Sequence, residues 1–201
     1  MSRGSLLNSL YNLALITYAV LGGAALGLYS AYWMVEREQP FGEQQAGPWK
    51  VWPQIGSRDI DPYARAILAR TGEIPLAVGE GLAFEARTDS AGRSLDAGCI
   101  YEIAGAAPSA RYWTLSIYGN GPRSAVPGRQ ATTSAAITRD ETGAYSLTIS
   151  PVVQSGNWLQ PPQIDGRFEI IMRLYDTPAS GTLTRFSEEM MPAITRMGCL
   201  S

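Results

Sequence analysis

A mainly β fold, built from two layers of antiparallel strands, is what this sequence predicts for its larger part, and three observations predict it. After Ile74, short segments alternate apolar and polar residues with the period of two that belongs to half-buried strands. Clusters of Gly, Pro, Asp and Ser separate those segments. Beyond residue 47 only "RDIDPYARAILARTG" carries the start and stop signals of a soluble helix. Many short strands with turns between them argue for a sandwich or a barrel.

The N-terminal stretch is of another kind. No charge falls between Arg3 and Glu36, and Leu10 to Val35 is nearly continuous apolar sequence. About 20 such residues suffice to cross the hydrocarbon layer of a bilayer. Tyr11 stands at one end and Tyr29, Tyr32 and Trp33 at the other, where amphipathic rings prefer the membrane–water interface. The reading is a tail over 1–9 and a transmembrane helix over 10–35 that serves as a signal anchor. A cleaved signal peptide ending near Gly23-Ala24-Ala25 is the alternative, but the apolar run continues well past that point. Arg3 precedes the span while Arg37 and Lys50 follow it, so basic residues bias the orientation little. The short tail and the large folded part favour export of the C-terminal domain. Ala19, Gly23, Gly27 and Ala31 recur every four residues, a face suited to close helix pairing and hence to a homo-oligomer or a helical partner.

Residues 36–47, "EREQPFGEQQAG", are polar and without period, and read as a juxtamembrane linker to a domain over 48–201. The soluble helix follows: Asp61 is placed to cap free amides, Pro62 fits the first helical position, and Gly72 suits a left-handed stop. "GCIYEI" puts Cys99, Tyr101 and Ile103 on one face. In "RYWTLSIY", Trp113, Leu115 and Ile117 face one way and Tyr112, Thr114, Ser116 and Tyr118 the other. "TTSAAITR" and "AYSLTIS" flank Asp140-Glu141-Thr142-Gly143, which reads as a hairpin loop. "RFEIIMRLY" offers Phe168, Ile170, Met172 and Leu174 to the core. "SEEMMPAITRMGC" reads as a short helical turn limited by Pro192.

Composition narrows the chemistry. The 201 residues are 45% hydrophobic and 17% charged, with a net charge of −2, which gives no basic footprint for nucleic acid. There is no histidine, so the usual proton-transferring side chain, imidazole metal sites and Ser-His-Asp or Cys-His sets are all missing. Two cysteines do not make a structural zinc site, and no glycine-rich phosphate loop opens a helix. Neither a metal, a cofactor nor a catalytic set is expected. A carboxylate pair is the remaining catalytic route, and Asp59 with Asp61 is the pair in sequence, although Asp61 already has a cap to form. Cys99 and Cys199 can pair in an oxidising compartment; two buried thiols are the alternative. For ligand binding, Arg173 shares a strand face with Ile171, and an arginine there either pairs with a carboxylate or receives an anion. Arg111 opens its strand, and Asn157 and Trp158 stand on the loop "QSGNWLQPP", where a stiff corner and a ligand site would look alike.

"GSRDIDPYARAILARTGEIPL", "CIYEIAGAAPSARYWTLSIY" and "GNWLQPPQIDGRFEIIMRLYDTP" together resemble the domain of unknown function 1214 family, over about Pro48 to Cys199. The resemblance implies a jelly-roll-like antiparallel β-sandwich in a bacterial protein; with the signal-anchor reading above, the expected place is the inner membrane, by a single pass with the domain in the periplasm. It also implies a companion protein of the domain of unknown function 1254 family, to which such domains are either fused or coupled. It brings no catalytic residues. Where the family usually has Tyr-Asp after "RYWTLSI", this chain has Tyr118-Gly119. Two functions follow as expectations: a tethered sandwich that binds a partner protein or envelope component without catalysis, or an enzyme or enzyme subunit acting on carbohydrate or another polar envelope molecule.

Overall fold

The computed structural model describes residues 3–36, 42–105, 108–119, 129–162, 166–178 and 186–200. The chain divides into two compact units, one of helices and one of strands.

The helical unit contains α1 (Arg3–Glu36) and α2 (Pro62–Thr71). Residues Asn8–Glu36 of α1 form a helix long and apolar enough to cross a membrane, and none of its most apolar stretch is buried within the protein. Helix α2 starts and stops as its sequence demands. The Asp61 carboxylate accepts from the Tyr63 and Ala64 amides at 2.9 and 3.0 Å, satisfying donors that have no partner inside the helix. Gly72 ends it with φ 69°, and its amide donates to the Leu68 carbonyl.

The strand unit holds β1 (Gln44–Ala46), β2 (Trp49–Val51), β3 (Gly81–Ala86), β4 (Cys99–Gly105), β5 (Tyr112–Gly119), β6 (Ala131–Thr133), β7 (Tyr145–Ile149), β8 (Trp158–Leu159), β9 (Phe168–Tyr175) and β10 (Ala193–Cys199). They make two sheets, ordered β1-β2-β3-β9-β5-β6 and β10-β4-β7-β8, in a sandwich-like arrangement with no closed barrel. Every pairing is antiparallel except β7 with β8, which is parallel. The inner faces supply one apolar core, with Trp49, Phe84, Leu115, Ile170, Met172 and Leu174 from the first sheet meeting Tyr101, Ile103, Leu147, Ile149, Leu159 and Ile194 from the second. These residues hold the alternate positions of their strands, so side-chain parity alone assigns the core face.

Three features depart from the sequence reading. Asp140–Gly143 does form a tight turn, with the Asp140 amide bonded to the Ala144 carbonyl, but it does not close a hairpin. The strand before it, β6, pairs with β5 in one sheet, and the strand after it, β7, pairs with β4 in the other. The turn carries the chain across the sandwich. Second, the stretch read as linker contains β1, whose Gln44–Ala46 pairs with β2. Third, the C-terminal stretch is helical only as a 3₁₀ turn over Glu188–Met190. From Ala193 onward it is β10, an edge strand along β4. Pro192 precedes that strand, and its carbonyl accepts from the buried Trp49 indole at 2.8 Å.

A polar clamp fastens this edge. The fully buried Asp89 carboxylate accepts from the Ala91 and Arg93 amides at 3.0 and 2.9 Å and from Arg93 Nε at 2.8 Å. Arg196 of β10 approaches the same carboxylate at 3.7 Å, and its guanidinium covers the Tyr101 ring. Burial pushes the Asp89 carboxyl up, but the hydrogen bonds from Arg93 and Ala91 outweigh it and hold the group below the usual carboxylate range. Cys99 and Cys199, opposite one another at the β4–β10 end, are joined as a disulfide.

Candidate functional site

The residues singled out by sequence fall in separate places. Trp158 lies on the outer face of the four-stranded sheet, its indole donating to the Ser150 carbonyl at 2.9 Å. Asn157 next to it is a stitch: its amide nitrogen donates to the Thr138 and Ser146 carbonyls at 2.7 and 2.9 Å, and its oxygen accepts from the Thr138 amide at 2.8 Å. Gly156, at φ 79°, makes the bend that brings the side chain there. Arg111 is exposed, 3.7 Å from Asp176, and its amide donates to the Asp176 carbonyl. Arg173 is half-buried on the outer face of the six-stranded sheet, in register with Ala83 and Thr114, and has no ion-pair partner among the described residues. Trp158 and Arg173 therefore look outward from opposite sheets with the core between them, and the four residues do not converge. Ala19, Gly23, Gly27 and Ala31 all lie on α1, with no other atom within 4 Å of a side chain built at Gly23 or Gly27.

The polar cluster the sequence reading overlooks is on that same outer face of the six-stranded sheet. Glu85 of β3 stands opposite Ile171 of β9 and opposite Lys50 of β2; Glu169 of β9 stands opposite Tyr118 of β5. Arg87, just past β3, bonds the Glu85 carboxylate through Nε, and the same nitrogen lies 3.3 Å from Glu169 Oε2. Only 17% and 15% of the Glu85 and Glu169 side chains is exposed, against 57% for Arg87. Ile171 is buried beside them. Lys50 is engaged with Glu43 at 3.0 Å and leaves Glu85 to Arg87.

Two carboxylates and one guanidinium in a half-buried place cannot all be charged at no cost. Burial pushes the Glu85 carboxyl up, Arg87 pulls it back and Glu169 adds to the rise, leaving it pushed up to about 7. The cluster thus holds a proton near neutrality. A glycosidase pair flanks its substrate at roughly 5–9 Å, with a gap for sugar or water between the acids. Here both acids lie against the same Arg87 nitrogen and against each other, which leaves no such gap. Parity could have located the cluster, since "LAFEAR" and "RFEIIMRLY" both put their acids opposite the apolar face. What parity could not supply is that β3 and β9 are neighbours. Among the described residues no group of three or more His, Cys, Asp or Glu is arranged to hold a metal ion.

Comparison with one solved structure supports the fold. The VPA0106 protein from Vibrio parahaemolyticus aligns with TM-score 0.53 and 25% identity over 69% of this chain and 36% of its own. An uncharacterised protein from Burkholderia cenocepacia aligns with TM-score 0.42 and 15% identity over 59% of this chain and 29% of its own. The chain spans about a third of the length of these solved relatives. No curated protein matches it. The model of the family described as "Protein of unknown function (DUF1214)" matches residues 80–179, from the start of β3 through β9, and the chain belongs to that family.

Proposed function

We propose that this protein is a membrane-tethered, non-catalytic binding subunit of the bacterial envelope, whose sandwich docks a separate companion protein. The observation that carries the reading is the coverage of the Vibrio parahaemolyticus protein: 69% of this chain corresponds to only 36% of that one. In the longer protein the sandwich is joined covalently to further sequence, whereas here it stands with a helix suited to a membrane. Sequence that accompanies the same sandwich in a longer protein is a natural docking partner for it, and this reading supplies that partner as a second polypeptide. A companion of the domain of unknown function 1254 family is the occupant this reading names. The outer face of the six-stranded sheet, with the buried Ile171, the half-buried Arg173 and the Glu85–Arg87–Glu169 cluster, is the surface with the polar character of a recognition face.

The filled core supports binding over catalysis. Trp49, Phe84, Tyr101 and Phe168 are all at most 2% exposed within it. The competing reading, an enzyme or enzyme subunit acting on a carbohydrate or another polar envelope molecule, is favoured by one observation, the raised Glu85 carboxyl; the direct contact of the two acids with each other and with Arg87 counts against it. We place the sandwich in the periplasm, α1 being its single pass through the inner membrane.

Co-expression of the full chain with a 1254-family protein from the same genome, followed by size exclusion in mild detergent, tests the proposal. A stoichiometric complex that weakens on Arg173→Glu is expected. Two proteins that elute apart at micromolar concentration overturn it.

A further inference from the structure

We propose that α2 is a second membrane contact: a short helix held at headgroup depth, lying against the lipid surface beside the exit of α1. The inference rests on the reading of α1 as a membrane span and goes beyond it.

Its depth follows from one contact and one length. Arg70, in the last turn of α2, places Nη1 2.8 Å from Glu36 Oε2 and donates from Nη2 to the Val35 carbonyl at 3.3 Å. Val35 and Glu36 end α1, where the last carbonyls have no partner within the helix, and the guanidinium supplies one. The apolar run from Leu10 to Val35 is about 39 Å long at roughly 1.5 Å per residue. The hydrocarbon core of a bilayer is about 30 Å thick, and the whole bilayer about 40–45 Å with its headgroups. A centred run of this length overshoots the hydrocarbon by about 4–5 Å at each end, which puts Val35 in the headgroup layer. Arg70 touches Val35, so the end of α2 is there too. Tyr32 and Trp33, exposed on α1 just before its end, are the side chains that prefer this layer.

The composition of α2 suits that place. No acid occurs between Pro62 and Thr71; the charges are Arg65 and Arg70. Of the residues it leaves exposed, Pro62, Arg65, Ala66 and Ala69 share one helical face by their spacing, with Arg70 at its edge and Thr71 at the end of the helix away from it. A face of small apolar side chains with a guanidinium and no carboxylate approaches a layer of lipid phosphates without repulsion, as interfacial helices do. The partner is therefore the bilayer surface itself.

Spin labels on the full chain in nanodiscs of phosphatidylethanolamine and phosphatidylglycerol test this. Labels at Ala66→Cys and Ala69→Cys are compared with Ala24→Cys, in the middle of α1, and Ser146→Cys, exposed on a strand. Collision with a water-soluble nickel chelate should fall several-fold at 66 and 69 relative to 146, while oxygen collision there stays below that at 24. Arg70→Ala should move the label at 69 towards water. Labels at 66 and 69 as accessible to nickel as 146 overturn the inference, with α1 still a span if 24 is shielded. A label at 24 that is open to nickel overturns the span itself and this inference with it.

Discussion

Glu85→Gln isolates the cost of holding two carboxylates on one half-buried sheet face. The Glu85 carboxyl rises from an ordinary value of 4.5 to about 7, with burial as the largest cause. Below pH 4.5 the folded and unfolded chains both carry this proton. Between 4.5 and about 7 only the folded chain keeps it, so stability falls as pH rises through this window. Above about 7 neither state carries it, and the loss is complete. At about 1.4 kcal/mol per pH unit, the wild-type chain is less stable at pH 8 than at pH 4.5 by about 3 kcal/mol from this group alone. For a domain of this size that is about 6–12 °C in Tm. Lys50, Arg87, Glu169 and Arg173 are the charged groups that face Glu85 from β2, β3 and β9. The chain has no histidine to add a titration of its own. Glutamine keeps a carbonyl for Arg87 and gives up the titration. Thermal melts of the full chain in detergent, followed by circular dichroism from pH 5 to pH 8, should show a falling Tm for wild type and a nearly flat one for Glu85→Gln, with the variant the more stable at pH 8. Parallel curves would refute the reasoning, because they would mean that Glu85 titrates alike in the folded and unfolded chains.

Three further substitutions bear on the fold around the site. Asn157→Ala removes three hydrogen bonds between the 138 loop, β7 and β8, and should cost about 2 kcal/mol in denaturant unfolding. Trp158 fluorescence should shift with it as the corner loosens; an unchanged midpoint would make the stitch ornamental. Tyr145→Phe should leave stability equal or raise it by about 1 kcal/mol, because the buried hydroxyl has no partner among the described residues and burial keeps it un-ionised; a marked loss in the same unfolding assay would reveal a bond this account lacks. Reduction of Cys99–Cys199, whose sequence separation is 100, should cost about 4.7 kcal/mol in the chain-entropy picture, read as the drop in unfolding midpoint with and without reductant.

Much of the architecture is written locally. The caps of α2 need only Asp61, Pro62 and Gly72, since each acts within a turn of its own position. The core faces of β4, β5 and β9 follow from side-chain alternation, which is a property of one strand by itself. The uncharged run of α1 declares its length and polarity without reference to any other segment. Two cysteines allow only the pair Cys99–Cys199, but sequence left two buried thiols open beside it, and the structure joins them.

Alternation says which way a side chain points and nothing about which strand lies alongside. That is why Asp140–Gly143 looks like a hairpin in sequence and is a crossing between sheets in space. It is also why Arg111, Asn157, Trp158 and Arg173 can be grouped on paper while the sandwich sets Trp158 and Arg173 on opposite outer faces. The Glu85–Arg87–Glu169 cluster exists only because strands far apart in sequence were brought side by side as β3 and β9. Strand neighbours are chosen by the burial of whole faces in a common core, a free energy summed over the domain. Caps, period and hydropathy are settled residue by residue, and so the sequence alone determined the caps of α2, the apolar run of α1 and the inward faces of β4, β5 and β9, while tertiary packing decided that β1 and β10 are strands and which charges meet.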